Sequence, residues 1–350
     1  MGFGFTDLII ALFYGKIAII NKKYFSTQGQ IMIDWKRPEP ADLKRIYENA
    51  SREQSMGSDM SYVNIFLLAD KYDLHIAFEE DLLTRRYKTR ETNLGRNGYT
   101  FPTGCSLSET KRINKVLEML EKEAGVAGVP LSFCLLTEYQ KIYLEKRYPD
   151  MEFISYPGDS DYLYTAEHLG KLPGRSNHKK KNHVSKFIRE YPDFEFKIYD
   201  KDNSGECSSD FKLCDIYRVE EAWIKEREDF LEHSQALERS EIKTAVKLFR
   251  GLELSAAVIR VDGKPVAMSV ASEISPGIFD IHFEKSYGEY ATNGAYAAIN
   301  KLFSEYLLEK KGARWINREE DIGIEGLRKA KESYHPDMML HKYSGFLRKE

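Results

Sequence analysis

Cysteine is scarce in this sequence, and the few cysteines present are far apart. The four are Cys105, Cys134, Cys207 and Cys214, and no two of them form a C-x-x-C pair. A disulfide scaffold needs more cysteines and a structural zinc site needs closely spaced ligands, so the pattern fits neither class. We therefore expect a reducing, cytoplasmic setting and predict no metal ligands.

Long apolar runs are lacking as well. Residues 8–20 read LIIALFYGKIAII, a run interrupted by a glycine and a lysine. A bilayer span needs about 20 apolar residues. A secretory signal needs basic residues before its apolar run, and there are none here. We expect no integral membrane anchor, and we interpret residues 1–31 as an extension ahead of a fold that begins near Met32.

Neither sign of charge dominates the chain. Its 350 residues include 52 Lys+Arg and 55 Asp+Glu, a formal net charge of −3, and 42% of them are hydrophobic. This is the composition of an ordinary globular protein, and at ~150 residues per domain the length predicts two domains. The balance argues against a protein that coats nucleic acid with its whole surface. No nucleophile elbow, Walker loop, Rossmann fingerprint or H-E-x-x-H motif occurs.

The order of predicted elements is similar in the two halves of the chain. In residues 32–157 the apolar spacing predicts a strand, a helix, three strand-like stretches that include 63–69, and then helix, strand, helix and strand. Residues 158–350 repeat this order with longer elements, a tight turn at Asp262-Gly263 and a closing strand at 338–346. The order resembles that of the acyl-CoA N-acyltransferase (GNAT) superfamily. We therefore predict an α+β fold, a tandem duplication of GNAT-like domains, each a mixed, mostly antiparallel sheet flanked by helices.

The segment 171–189, KLPGRSNHKKKNHVSKFIR, concentrates positive charge: it has seven basic residues and no acidic one. Such density predicts a site for the phosphates of a donor substrate, with Arg175, Lys179, Lys180 and Lys181 as the binding residues. The alternative is a solvated helix face, because three consecutive lysines cannot all point in one direction.

Acidic residues follow a predicted strand at 314–317, where ligands collect in open α/β sheets. Asp321 is the candidate general base, or it orients an attacking amine. An aspartate there is also a good helix N-cap. On the next helix, Lys331, Arg328 and Tyr334 are candidates to neutralise a phosphate or an oxyanion. In the alternative interpretation, the two basic residues pair with neighbouring glutamates and Tyr334 belongs to the core.

The turn that leads into the long predicted helix has Gly288 and Gly294 where coenzyme A-dependent GNAT proteins bind pyrophosphate through backbone N–H groups. We include both, with Asn293, among the donor-binding candidates. No Arg or Lys lies between the two glycines, so the loop suits coenzyme A poorly. Glu284 shares a strand face with His282 and is a second candidate to take or steer a proton, whereas His282 fits a buried, satisfied histidine better.

Three segments together resemble a known family. They are GKLPGRSNHKKKNHVSKF (170–187), EKSYGEYATNGAYAAINKLF (284–303) and NREEDIGIEGLRKAKESYHP (317–336). They are similar to a family of soluble bacterial proteins whose domain is named for the C-terminal region of phosphatidylglycerol lysyltransferase, and the likeness extends over residues 31–347. The resemblance implies a tandem GNAT-like fold related to the aminoacyl-tRNA-dependent peptidyltransferases. Membrane-bound relatives transfer lysine from lysyl-tRNA to phosphatidylglycerol, but this chain lacks their many-span membrane portion.

We therefore expect an acyl- or aminoacyltransferase with aminoacyl-tRNA as the donor and a small-molecule, peptide or lipid-headgroup acceptor. Two alternatives stay open: a coenzyme A-dependent N-acetyltransferase, with a coenzyme A thioester as donor, and a non-catalytic binding protein on the same fold.

Overall fold

The computed structural model describes residues 33–88, 96–205, 214–226 and 233–347, so the predicted extension of residues 1–31 lies outside the described residues. The α-helices are α1 (Leu43–Glu53), α2 (Tyr62–Leu67), α3 (Thr110–Ala127), α4 (Glu138–Arg147), α5 (Ala166–Lys171), α6 (His178–Glu190), α7 (Asp215–Lys225), α8 (His233–Lys247), α9 (Gly288–Thr292), α10 (Ala295–Lys311) and α11 (Glu325–Glu332).

The strands form two sheets. They are β1 (His75–Glu79), β2 (Leu82–Lys88), β3 (Asn97–Tyr99), β4 (Ser132–Leu136), β5 (Met151–Ile154), β6 (Asp161–Thr165), β7 (Glu195–Tyr199), β8 (Ser255–Val261), β9 (Lys264–Ser275), β10 (Ile278–Ser286), β11 (Trp315–Asn317), β12 (Met338–Leu340) and β13 (Tyr343–Leu347). The six-stranded sheet has the order β1-β2-β3-β4-β13-β5, and the seven-stranded sheet has the order β12-β6-β11-β10-β9-β8-β7. Most pairs are antiparallel, so the predicted α+β fold with two mostly antiparallel sheets flanked by helices is confirmed.

Local sequence signals account for several element boundaries. Thr137 and Gln140 form the reciprocal capping box that starts α4. Asp262 and Gly263 both have positive φ, as the tight turn between β8 and β9 requires. Gly312 ends α10 in the left-handed conformation, which costs glycine no steric strain.

Three predicted strands differ from the structure. The first strand of the predicted order, ahead of α1, is not formed by the described residues there, and Lys36 makes an isolated bridge with Ile76. Residues 63–69, predicted as a strand, instead contribute to helix α2, because a short apolar run does not by itself distinguish a buried helix from a strand. The single closing strand predicted at 338–346 is two strands. β12 pairs with β6 in the seven-stranded sheet, whereas β13 pairs with β4 and β5 in the six-stranded sheet. Between them lies Lys342, whose buried ammonium is 2.5 Å from an Asp161 carboxylate oxygen.

The last strand links the two sheets. β13 comes from the predicted domain 158–350 but lies in the sheet built from residues of the predicted domain 32–157. The division after residue 157 therefore stays a prediction. The core also joins both halves, since one buried cluster includes Ile46 and Ile65 together with Phe249 and Val270.

The seven-stranded sheet opens next to its centre. β10 and β11 run parallel and pair only from Ile278–Trp315 to Asp280–Asn317, although β10 continues to Ser286. The register of β10 against β9 also shifts between Ile281 and Phe283, a bulge that re-aims nearby side chains. Polar side chains of β10 and of the loop after β11 meet at this opening.

Two expectations about chemistry and membranes can be compared with the described residues. Cys105 and Cys134 are free and buried, but Cys214 is disulfide-bonded, which the sparse cysteine pattern does not predict. Among the helices that the structure describes, none is long and apolar enough to cross a membrane.

Candidate functional site

The loop after β11 carries charged side chains into the protein where the two halves of the chain meet. Arg318 and Asp321 are buried, and Glu319 has a left-handed φ of 58°. The loop stays attached to β6, because Arg318 N donates to Tyr162 O (2.9 Å) and Tyr162 N donates to Glu319 O (3.2 Å). The side chains of consecutive charged residues in this loop therefore contact different parts of the protein.

Asn64 joins two carboxylates of the site. Its Nδ2 donates to Asp280 Oδ2 (3.0 Å) and to Glu319 Oε1 (2.8 Å). Its Oδ1 lies 3.0 Å from His282 Nδ1, and because an amide oxygen only accepts, this imidazole nitrogen is the donor. His282 Nδ1 is also 3.5 Å from Asp280 Oδ2 and 3.6 Å from Glu319 Oε1. We call Asn64, Asp280, His282 and Glu319 the acidic cluster.

Three neighbouring carboxylates have a lysine or arginine partner, but Asp280 has none among the described residues. The pairs are Arg85–Asp59 (2.8 Å), Lys342–Asp161 (2.5 Å) and Arg96–Glu320. Asp280 Oδ1 is buried and has no hydrogen-bond partner within the described chain. Burial and then the charges of Glu319 and Asp161 raise the pKa of the Asp280 carboxyl well above its ordinary value. The folded protein therefore keeps a proton on Asp280 above the ordinary pKa of aspartate, and a cation bound at the acidic cluster would favour the loss of that proton.

The acidic cluster can hold a cation. Asp280, His282 and Glu319 each place one ligand atom within 4.8 Å of the others, although the sequence predicts no metal ligands. Carboxylate and imidazole ligands suit a divalent ion, and the carboxylates equally suit a protonated amine. A pocket lined partly by Asn64, Glu319 and Glu320 adjoins the cluster.

A second cluster of charged residues surrounds Arg318. Arg318 Nη2 donates to Glu284 Oε1 (2.7 Å) and to the Tyr296 hydroxyl (2.8 Å). The Tyr334 ring centroid lies 4.8 Å from Arg318 Cζ and 3.9 Å from Lys180 Nζ. We call Lys180, Arg318 and Tyr334 the cationic cluster. The structure thus brings together three residues predicted for the site, Lys180, Glu284 and Tyr334, and adds Arg318.

Asp321 is held on both carboxylate oxygens. Arg328 donates to it from Nε (2.9 Å) and Nη2 (3.1 Å), Tyr162 donates through its hydroxyl (2.7 Å), and Gly323 donates through its backbone N–H (2.8 Å). Burial raises the pKa of Asp321, but the bonds from Arg328 and Tyr162 outweigh it and lower the pKa below its usual value. These contacts fit a residue that fixes the loop better than one that accepts a substrate proton.

Lys331 lies beside the acidic cluster. Its Nζ donates to Glu320 O (2.6 Å) and is 5.8 Å from the Tyr162 ring centroid. Burial lowers the pKa of its ammonium, although the charges of Glu319 and Glu320 partly oppose this. A buried ammonium of this kind is a hydrogen-bond donor to a developing negative charge.

The basic segment forms α6 together with the turn before it. Arg175, Lys179 and Lys181 are exposed to solvent, whereas Lys180 is partly buried against Tyr334. The predicted phosphate-binding residues therefore divide into one inward-facing lysine and three exposed cations. Arg328, the remaining basic candidate, is paired with Asp321.

The turn at α9 and the start of α10 is packed against α6. A Cβ added to Gly294, which has φ 103°, would lie 2.2 Å from the backbone oxygen of His183. Asn293 Nδ2 donates to the Tyr191 hydroxyl (2.9 Å). Gly288, at the start of α9, has a positive φ of 60°. Helix α6 thus comes close to the backbone of the α10 N-terminus, the place predicted for a pyrophosphate.

Four residues of the site are not among the candidates of the sequence analysis: Asn64, Asp280, Arg318 and Glu319. Asn64 lies in the segment predicted as a strand, so no face could be assigned to it. Asp280 alternates with His282 and Glu284 along β10, and this alternation is a signal that could have identified it. Arg318 lies inside the third family segment, but only an acidic residue that follows it, Asp321, was predicted to act at the strand end.

The family comparison is specific. The sequence model of the family described as phosphatidylglycerol lysyltransferase, C-terminal, matches residues 51–345. No curated protein matches the chain.

Several solved structures match over most of the chain. A conserved protein of unknown function from Bacteroides thetaiotaomicron VPI-5482 is 29% identical, with a TM-score of 0.79 over 91% of this chain and 100% of its own. The C-terminal domain of a putative lysylphosphatidylglycerol synthetase from Agrobacterium fabrum is 13% identical, with a TM-score of 0.60 over 89% and 93%. L-PGS from Bacillus licheniformis is 15% identical, with a TM-score of 0.59 over 90% and 94%. At these low identities the last two show the fold alone.

Proposed function

Because the chain belongs to the family of the phosphatidylglycerol lysyltransferase C-terminal domain, we propose that it transfers an aminoacyl group from an aminoacyl-tRNA to an amine or hydroxyl acceptor. The family supports aminoacyltransferase-like chemistry in general. The observation that carries the proposal is the acidic cluster, in which the buried Oδ1 of Asp280 has no hydrogen-bond partner among the described residues. An aminoacyl ester differs from other acyl donors in its protonated α-amine, and that cation supplies the counter-charge.

The amine would bind between the carboxylates of Asp280 and Glu319. Asn64 holds both carboxylates by hydrogen bonds, so their positions are set before the ligand enters. Hydrogen bonds between the protonated amine and these carboxylates would be charge-assisted. Bonds of this kind are stronger than neutral ones, and burial reduces their screening by water. The pocket beside Glu319 and Glu320 is the opening nearest to this site, and the amino-acid side chain would point towards it.

The reaction is a direct transfer. The lone pair of the acceptor attacks the ester carbonyl carbon, the bond from this carbon to the ribose oxygen breaks, and the proton lost by the acceptor ends on the ribose oxygen. Lys331 donates to the carbonyl oxygen as negative charge develops there. Asp321 acts as a positioning residue, because Arg328, Tyr162 and Gly323 already use its oxygens.

The coenzyme A alternative has less support. In that mechanism the backbone N–H groups at the start of α10 would bind the pyrophosphate. Helix α6 lies close to this backbone at Gly294, and Lys186 Nζ is 3.4 Å from Thr292 O. A pyrophosphate there would displace α6.

Calorimetry with paired ligands tests the proposal. An amino-acid amide should bind, and its N-acetyl derivative, which has no cationic amine, should bind at least about tenfold more weakly, because a hydrogen bond to a charged group contributes about 1.5–3 kcal/mol. Asp280→Asn and Glu319→Gln should weaken the amide similarly. Glu325→Gln, which removes an exposed carboxylate, is the matched control.

A transfer assay with charged, labelled tRNA completes the test, with acetyl-CoA titrated in parallel. Equal binding of the amide and its N-acetyl derivative would contradict the proposal. Loss of amide binding in a chelator would assign the acidic cluster to a metal ion instead. Saturable binding of acetyl-CoA would favour the acetyltransferase, and no binding by any of these ligands would favour a non-catalytic protein.

A further inference from the structure

Polar groups of the cationic cluster lack partners in the described part of the chain. Arg318 Nη1 and the Tyr334 hydroxyl are buried without a hydrogen bond. Lys180 Nζ faces the Tyr334 ring and forms no ion pair with a described residue. Buried polar groups are nearly always satisfied in folded proteins, so unpaired donors at one place indicate a missing ligand.

The charges of this region do not balance either. Glu284 Oε1 pairs with Arg318 Nη2 at 2.7 Å, which leaves the Lys180 charge without a carboxylate of its own. Burial, and then the charges of Arg318 and Lys179, lower the pKa of Lys180 to about 8. A partly buried cation without a counter-ion is unfavourable, and a bound anion removes this cost.

We propose that Lys180 Nζ, Arg318 Nη1 and the Tyr334 hydroxyl form a subsite for a phosphate group of the donor nucleotide. Lys180 and Arg318 both lie against the Tyr334 ring, a phosphate has several oxygens that can each accept a hydrogen bond, and guanidinium and ammonium groups are the usual partners of phosphate. The subsite deepens the proposed function, on which it rests for the identity of the donor. Arg318 and Glu319 are consecutive, so the phosphate subsite adjoins the proposed amine site.

The experiment measures the binding of adenosine monophosphate, adenosine and inorganic phosphate by calorimetry. Adenosine monophosphate should bind more tightly than adenosine, and phosphate should compete with it. Lys180→Gln should weaken adenosine monophosphate by about tenfold or more, the scale of a charge-assisted hydrogen bond. Tyr334→Phe should weaken it severalfold, while adenosine binding changes little in both variants.

Two controls keep the test decisive. Lys186→Gln removes the same charge from α6 at a position where the described hydrogen-bond partner of Nζ is Thr292 O, and it should change the affinity less than twofold. Tyr334→Phe removes a buried hydroxyl without a described partner, so its free energy of unfolding should stay the same or rise.

Equal losses in Lys180→Gln and Lys186→Gln would overturn the subsite in favour of a diffuse basic surface. Equal affinities for adenosine monophosphate and adenosine would overturn it as well. The amide titration on the same variants separates the two proposals: if amide binding survives while phosphate binding is absent, the subsite alone fails. If phosphate binding is intact and amide binding is absent, the amine site fails.

Discussion

The acidic cluster and the cationic cluster are adjacent in the chain and opposite in charge. Glu319 belongs to the first and Arg318 to the second, and a single peptide bond joins these two residues. In each cluster a buried polar atom lacks a partner within the described residues: Asp280 Oδ1 in one, and Arg318 Nη1 with the Tyr334 hydroxyl in the other. In the neighbouring Arg85–Asp59 and Lys342–Asp161 pairs, by contrast, each charge has a partner of opposite sign.

A buried ion pair within the protein satisfies both of its charges. By contrast, each of the two clusters has a buried polar atom without a described partner, and a ligand with both charges would supply partners to both clusters at once. An aminoacyl nucleotide has a cationic amine and an anionic phosphate in one molecule. The left-handed backbone of Glu319 helps separate the two side chains into the two clusters.

The largest effect on stability is expected from the removal of Arg318, the guanidinium of the cationic cluster. Arg318→Leu should lower the free energy of unfolding by about 3–5 kcal/mol, because Glu284 then stays buried without its partner. Urea denaturation with unchanged m-value measures it. Lys329→Gln, which breaks an exposed pair on α11, should cost less than about 0.5 kcal/mol. A comparable small cost for Arg318→Leu would mean that Glu284 is not held as an ion pair.

The acidic cluster should respond in the opposite direction. At neutral pH, Asp280→Asn should raise the free energy of unfolding by about 1–3 kcal/mol, because the buried carboxyl must take up a proton on folding and an amide does not, and one pKa unit corresponds to about 1.4 kcal/mol. It should also abolish amine binding, so stability and function would change in opposite senses. Thermal denaturation and calorimetry on the same samples measure both.

The stability gain of Asp280→Asn should depend on pH. Burial and the charge of Glu319 raise the pKa of Asp280 in the folded state. The folded protein therefore holds a proton that the unfolded chain releases near its ordinary pKa of about 4. The free energy of unfolding of the wild type therefore falls as the pH rises from about 4 towards the pKa of Asp280 in the folded state. The stability gain of Asp280→Asn over the wild type should be small at low pH and larger at neutral pH. A pH-independent gain would contradict a raised pKa.

Much of the fold could be predicted from the sequence. The capping box at Thr137 and the Asp262-Gly263 turn are local signals, and the structure has both. The split of residues 338–346 into two strands could not be predicted, because β12 pairs with distant β6 in one sheet and β13 with distant β4 and β5 in the other. The helix at Tyr62–Leu67 depends likewise on packing against both halves of the chain.

The candidate site was predictable only in part. Lys180, Glu284, Lys331 and Tyr334 lie in or beside the two clusters, and the family segments contain all four. Which of three consecutive lysines faces inward depends on the packing of α6, which charge density does not reveal. The role of Asn64 requires a contact between residues more than two hundred positions apart.

The smallest effect is expected at Asp321, which lies beside both clusters and belongs to neither. Asp321→Asn should lower the free energy of unfolding by about 1 kcal/mol, because an amide presents a donor to one of the groups that now donate to it. Turnover in the transfer assay should change less than about threefold, since a general base would contribute about 10²–10⁴-fold. A loss of turnover on that larger scale, with stability retained, would return Asp321 to the chemistry and make the loop after β11 a third active element between the two clusters.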